Sequence, residues 1–107
     1  MSDAPATLIV QVSCPPEAAS AIAGSLVERR LAACVGALPG LQSTYRWQNR
    51  IECSAETLLL IKTTAAAYPA LEAAIRALHP YELPEILAVP VTAAPPAYLH
   101  WIAECID

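Results

Sequence analysis

Few side chains in this 107-residue chain could do chemistry, and their spacing favours binding over catalysis. Ser13, Ser20, Ser25, Ser43 and Ser54 have no recognisable nucleophile motif around them. Two histidines, His79 and His100, leave little room for general acid–base work, so no enzymatic activity is expected. Cys14, Cys34, Cys53 and Cys105 stand far apart without a Cys-x-x-Cys pair. A zinc ribbon needs paired spacing, and a disulfide scaffold needs denser cysteine, so these thiols read as small hydrophobes. Lys62 ends an otherwise apolar run. A buried ammonium needs a partner, and Glu82 or Glu85 is the expected one. His79 ends a helical segment, where its simplest role is to cap the last carbonyls.

The elements that must position these groups belong to one domain, residues 1–107, whose first five residues are expected to be flexible. Apolar residues make up 56% of the chain, more than one small monomer can easily hide, so part of that surface should lie between subunits. A net charge of −4 gives no electrostatic footprint for nucleic acid and no attraction to an anionic membrane. No targeting signal or bilayer-spanning run is read, and a cytoplasmic location is expected.

Ala6 to Ser13 reads as a buried strand bounded by Pro15-Pro16. Those prolines open a first helix, with Ala19, Ile22, Ala23 and Leu26 at helical spacing and Arg29-Arg30 at its end. A short strand over 33–38 follows, broken at Pro39-Gly40 by a turn or bulge. Tyr45 and Trp47 then share one face of the alternating segment 43–47, and Gln48-Asn49 reads as a two-residue hairpin turn. Residues 51–64 run without Gly or Pro. A second helix begins near Ala67 and ends at Pro80, a fourth strand covers 85–91, and a last helix opens at Pro95-Pro96. In that helix Tyr98, Trp101, Ile102 and Cys105 share a face. The order is α+β: a ferredoxin-like βαββαβ antiparallel sheet with an extra C-terminal helix.

Fourteen extended residues span about 46 Å, whereas a domain of this length has a diameter of roughly 34 Å. The hairpin should therefore overhang its own domain. A long unpaired edge invites association, so a second copy of the chain is the expected cover.

Five blocks carry a more specific likeness. They are residues 28–35 (ERRLAACV) running on to Leu38-Pro39-Gly40, residues 43–47 (STYRW), residues 59–64 (LLIKTT), residues 79–86 (HPYELPEI), and residues 96–101 (PAYLHW). In this order and spacing they resemble the signature blocks of the CutA divalent-cation tolerance family, from about Leu8 onward. The resemblance implies a ferredoxin-like homotrimer whose subunits pair strand edge to strand edge. It also implies binding of Cu(II) or another divalent cation, and no organic cofactor. The trimer of that family is similar to the PII signalling proteins, so the alternative is an intersubunit-cleft sensor or scaffold for a small molecule or a protein partner.

The same resemblance implies His79 and Glu85 as metal ligands, an imidazole–carboxylate pair suited to Cu(II) or Zn(II), on a loop stiffened by Pro80 and Pro84. The family's third ligand is a cysteine of the first strand. Here Val12 occupies that place, and Cys14, two residues on, is the candidate substitute if the strand stays extended. Tyr45, Trp47, Lys62, Tyr81 and Glu82 are the implied lining of an intersubunit cleft, with aromatic packing and a structural salt bridge as the alternative.

Overall fold

The computed structural model describes residues 6–106, so the expectation for the first five residues lies outside the described part. Strand β1 (Thr7–Cys14) leads into helix α1 (Pro16–Glu28), and the long strands β2 (Cys34–Trp47) and β3 (Arg50–Thr64) form a hairpin. Helix α2 (Tyr68–Leu78), the short strand β4 (Leu87–Pro90) and helix α3 (Pro96–Cys105) complete the chain. The strands make one antiparallel sheet in the order β2-β3-β1-β4.

The core follows from alternation along the two central strands. Val10, Val12 and Cys14 of β1 stand opposite Ile61, Leu59 and Thr57 of β3, all on one face. Ile22 and Leu26 of α1 and Leu71, Ala74 and Ile75 of α2 close over that face, spaced as an amphipathic helix requires. Burial of a side chain such as Leu59 or Ile61, each 0% exposed, contributes about 1.5–3 kcal/mol. Proline in the first turn of each helix fits, because no backbone partner for its missing N–H exists there.

The structure refines or corrects the sequence reading at four places. Of the turn or bulge expected at Pro39-Gly40, the bulge is found, and it lies inside one continuous strand: pairing shifts between Leu38 and Leu41 while β2 runs on to Trp47. Gly40 sits at φ +89°, a backbone state open to glycine, which lets the chain absorb an extra residue without ending the strand. Arg29 and Arg30 fall just past α1, Arg30 at φ +58° in the left-handed position that ends a helix. The fourth strand is shorter than residues 85–91, because Glu85 and Ile86 remain in the loop. In α3 only Ile102 is fully buried, while Tyr98 and Trp101 stack on each other at 5.5 Å and stay over 40% exposed.

The hairpin turn is as expected. Gln48 and Asn49 take φ values of +51° and +65°, the mirror-image turn that matches strand twist. The molecule measures 50 × 25 × 22 Å, its long axis greatly exceeding the diameter of roughly 34 Å expected for a sphere-like domain of this length.

Candidate functional site

The bulge decides what the hairpin presents. Upstream of it, Leu38 pairs with Leu58; downstream, Leu41 pairs with Glu56, so β2 advances three residues while β3 advances two. That odd step inverts the alternation of β2. Ser43, Tyr45 and Trp47 therefore stand on the Glu56 side of the hairpin, opposite Ser54, Glu52 and Arg50. Ser13 of β1, paired with Leu58, lies on that same side, away from α1 and α2.

The loop between α2 and β4 folds over the end of β1 and closes a cleft of about 450 Å³. Its walls are Tyr45 and Trp47 from β2, Glu56 from β3, and Tyr81, Glu82, Leu83 and Glu85 from the loop, with Ser13 at the base. The Tyr81 hydroxyl donates to Glu56 Oε2 at 2.8 Å, and Ser13 Oγ donates to Glu85 Oε1 at 3.4 Å. Tyr45 and Ser54 share a hydroxyl–hydroxyl bond of 2.8 Å across the hairpin. Burial, then the Glu56 hydrogen bond and charge, push the Tyr81 hydroxyl far above its ordinary range, so it remains a proton donor.

His79 holds the loop in place. Its backbone N–H bonds Ile75 O at 2.8 Å and closes α2, so the helix end is capped by the main chain and the ring is free to turn elsewhere. The ring is 7% exposed, its Nε2 lies 2.8 Å from the carbonyl oxygen of Ser13, and its Nδ1 is 3.1 Å from the Tyr81 N–H. A carbonyl only accepts and an N–H only donates, which fixes the tautomer with the proton on Nε2. The Tyr81 ring packs beside the imidazole at 4.8 Å.

The residues implied as a metal site do not fit one as they stand. Both ring nitrogens of His79 are spent on the backbone. Strand β1 does stay extended through Cys14, but the alternation that lets Cys14 replace Val12 also gives it the face of Val12, in the core. The Cys14 thiol is 0% exposed and contacts Thr57 O at 3.8 Å; burial, then the charges of Glu56 and Glu17, push its pKa up and disfavour the thiolate a metal needs. Glu85 approaches neighbouring Ser13 instead. Among the described residues no three His, Cys, Asp or Glu side chains converge on a metal position.

Of the implied cleft residues, Tyr45, Trp47, Tyr81 and Glu82 come together. Lys62 does not join them. It pairs with Cys34 across the hairpin, and its Nζ lies 3.9 Å from Cys34 Sγ, away from Glu82 and Glu85. The sequence reading missed Ser13 and Glu56. Glu56 was detectable: at an even spacing it shares a face with Leu58, Leu60 and Lys62, a carboxylate next to an apolar stretch of that row.

Fold and sequence together define a class of small α+β proteins with a four-stranded antiparallel sheet and three helices. The profile described as CutA1 divalent ion tolerance protein matches residues 8–105, so this chain belongs to that family. It is 48% identical over 97 residues to the divalent-cation tolerance protein CutA of Thermus thermophilus, covering 90% of this chain and 94% of that one. The mouse protein CutA is 47% identical over 97 residues, 90% of this chain, but the match spans 55% of the mouse protein's length. The crystal structure of CutA1 from Oryza sativa superposes with a TM-score of 0.95 at 36% identity, over 99% of this chain and 98% of that chain.

Proposed function

We propose that the chain serves divalent-cation tolerance as a homotrimeric, ferredoxin-like binding protein of the cytoplasm, without enzymatic activity, and that its ligand site is the cleft under the 79–86 loop. One observation carries the reading: a bulge, a hairpin and a loop held by His79 combine to line one concavity with Tyr45, Trp47, Glu56 and Tyr81. Pockets that mix aromatic walls with a few fixed polar groups are what small-ligand sites look like. Binding is favoured over catalysis because His79, the natural proton-transfer group at the cleft, has both nitrogens on the backbone. Strand order β2-β3-β1-β4 with two helical crossovers supports the ferredoxin-like description.

Trimer formation is supported by shape and surface. The hairpin carries the long axis to 50 Å, β2 offers an uncovered edge, and Leu38, Leu87 and Val89 are at least half exposed. Light scattering that returns a particle of about one chain's mass, 11.3 kDa, at micromolar concentrations would sink this element. Four free cysteines among the described residues fit a reducing compartment.

The cleft is tested by a thermal-shift screen of small molecules on the parent chain and on Tyr45→Ala and Trp47→Ala. Compounds that stabilise only the parent support the site; equal stabilisation of all three moves it elsewhere.

A second reading, direct binding of Cu(II) or a similar divalent ion by His79 and Glu85, is favoured by their common approach to Ser13. It requires the imidazole to release a backbone partner. A competitive Cu(II) titration against a chelator, with His79→Ala alongside, separates the two. Tight binding near one ion per subunit that the substitution removes favours metal; affinity unchanged by the substitution favours the cleft.

A further inference from the structure

Resting on the cleft reading above, we infer that the ligand of this cleft is a small organic cation, an ammonium or guanidinium compound, held between the aromatic walls against the carboxylate of Glu56. The cavity is unusual in its charge. Glu56, Glu82 and Glu85 line it, and among the described residues of this one chain no lysine, arginine or histidine does. Glu56 is the telling member. It is only 4% exposed, its one hydrogen-bond partner is the neutral Tyr81 hydroxyl on Oε2, and no cation lies within ion-pair distance among the described residues. Buried carboxylates are normally paired with a positive charge, because desolvation is costly and a single neutral donor compensates only part of it.

The surroundings select the kind of cation. The rings of Tyr45, Trp47 and Tyr81 line the cleft, and aromatic rings attract organic cations in partly desolvated sites. A volume of about 450 Å³ is far larger than a bare metal ion requires, and no three ligating side chains converge there. An ammonium or guanidinium group donates charge-assisted hydrogen bonds to Glu56 while its carbon skeleton lies on the rings. An anionic metabolite of the same size is repelled by the three carboxylates, and a neutral one forms no ion pair with them.

The test uses intrinsic fluorescence of the full chain in the presence of a metal chelator. Trp101→Phe leaves Trp47 as the remaining tryptophan, so emission reports the cleft. The probes are 1,4-diaminobutane, butylguanidine, the neutral 1,4-butanediol and the dianion succinate. The inference expects saturable changes with the two cations, none with the diol or succinate, and at least about tenfold weaker cation binding in Glu56→Gln and in the more exposed Glu82→Gln. Diol or succinate binding as well as the cations would overturn the cation class while leaving the cleft reading intact. Silence from all four probes, with the screen of the preceding section also empty, would overturn both. Should Glu56→Gln instead alter the subunit count of the particle while no probe binds, a neighbouring chain's basic side chain fills the cleft and the small-cation inference fails. Glu82→Gln keeps the test decisive if Glu56→Gln does not fold.

Discussion

The imidazole of His79 donates from Nε2 to the carbonyl oxygen of Ser13 at 2.8 Å, tying the end of α2 to the end of β1 across 66 residues of sequence. Nδ1 accepts the Tyr81 N–H, so one ring orders both the strand end and the loop beyond it. Replacing His79 by alanine removes both bonds and leaves buried backbone groups without partners. The expected loss of stability is about 1–3 kcal/mol per stranded group, read from denaturant midpoints at unchanged m-value. His79→Ala unfolding at the parent's midpoint would mean water replaces the ring without cost.

The Tyr81–Glu56 bond sets an alkaline limit. The hydroxyl is held well above its ordinary value of 10.0 by burial first and by Glu56 second. The folded state thus keeps this proton more tightly than the unfolded chain does. Its stabilisation is complete below pH 10 and lost as pH rises through the folded-state value. Tyr81→Phe should flatten part of the stability decline above pH 10, and phenolate absorbance should show one fewer late-titrating tyrosine. Tyr68, raised by burial and then by Glu72, accounts for a residual late step. A decline identical in Tyr81→Phe would remove this assignment.

Cysteine labelling should be strongly ordered. Cys53 is exposed, whereas Cys14 is fully buried with its thiol pKa raised. Under native conditions a thiol reagent is expected to modify Cys53 first and Cys14 last, at the rate of global opening. Mass spectrometry of partially labelled protein reads this directly, and early modification of Cys14 would show that the β1 end is mobile.

Gly40→Ala isolates the bulge. Beyond its two chain neighbours, nothing lies within 4 Å of the added Cβ, so any effect comes from the backbone at φ +89°. A left-handed non-glycine residue costs about 1–2 kcal/mol. The expected result is a loss of that size together with a weakened ligand-dependent thermal shift, because Tyr45 and Trp47 depend on the bulge for their side of the hairpin. Full stability in the variant would mean the strand accommodates alanine by another path.

Much of this was legible in the residues. Prolines 16, 69 and 96 mark helix starts, the β-branched and leucine-rich run of β3 marks a central strand, and Gln48-Asn49 marks the turn. Part of the cleft was legible too, through Tyr45, Trp47, Tyr81 and Glu82. What remained hidden depends on register. Whether Lys62 meets Cys34 or Glu85 is decided by strand pairing, which lies in no local pattern. Cys14 does share the face of Val12, as extension requires, but no local pattern showed that both helices close over that face. The role of His79 was hidden because one of its two ring partners, the Ser13 carbonyl, lies far away in the chain.

The bulge at Pro39-Gly40 gives one strand two reading frames. Upstream, odd-numbered Val35 packs against the hydrophobic interior and Ala37 shares its face; downstream, odd-numbered Ser43, Tyr45 and Trp47 answer to the cleft. The junction insulates these sets, so the cleft-facing half can drift in sequence without disturbing what lies beneath the helices. A one-residue deletion at the junction would remove the bulge and keep Tyr45 opposite Glu52. Pairing straight through the junction with no residue lost would instead shift the downstream frame as a block, exchanging Tyr45 and Trp47 for Thr44 and Arg46 in a single step. For a scaffold of this size, that is a direct route by which specificity can change while the fold is inherited.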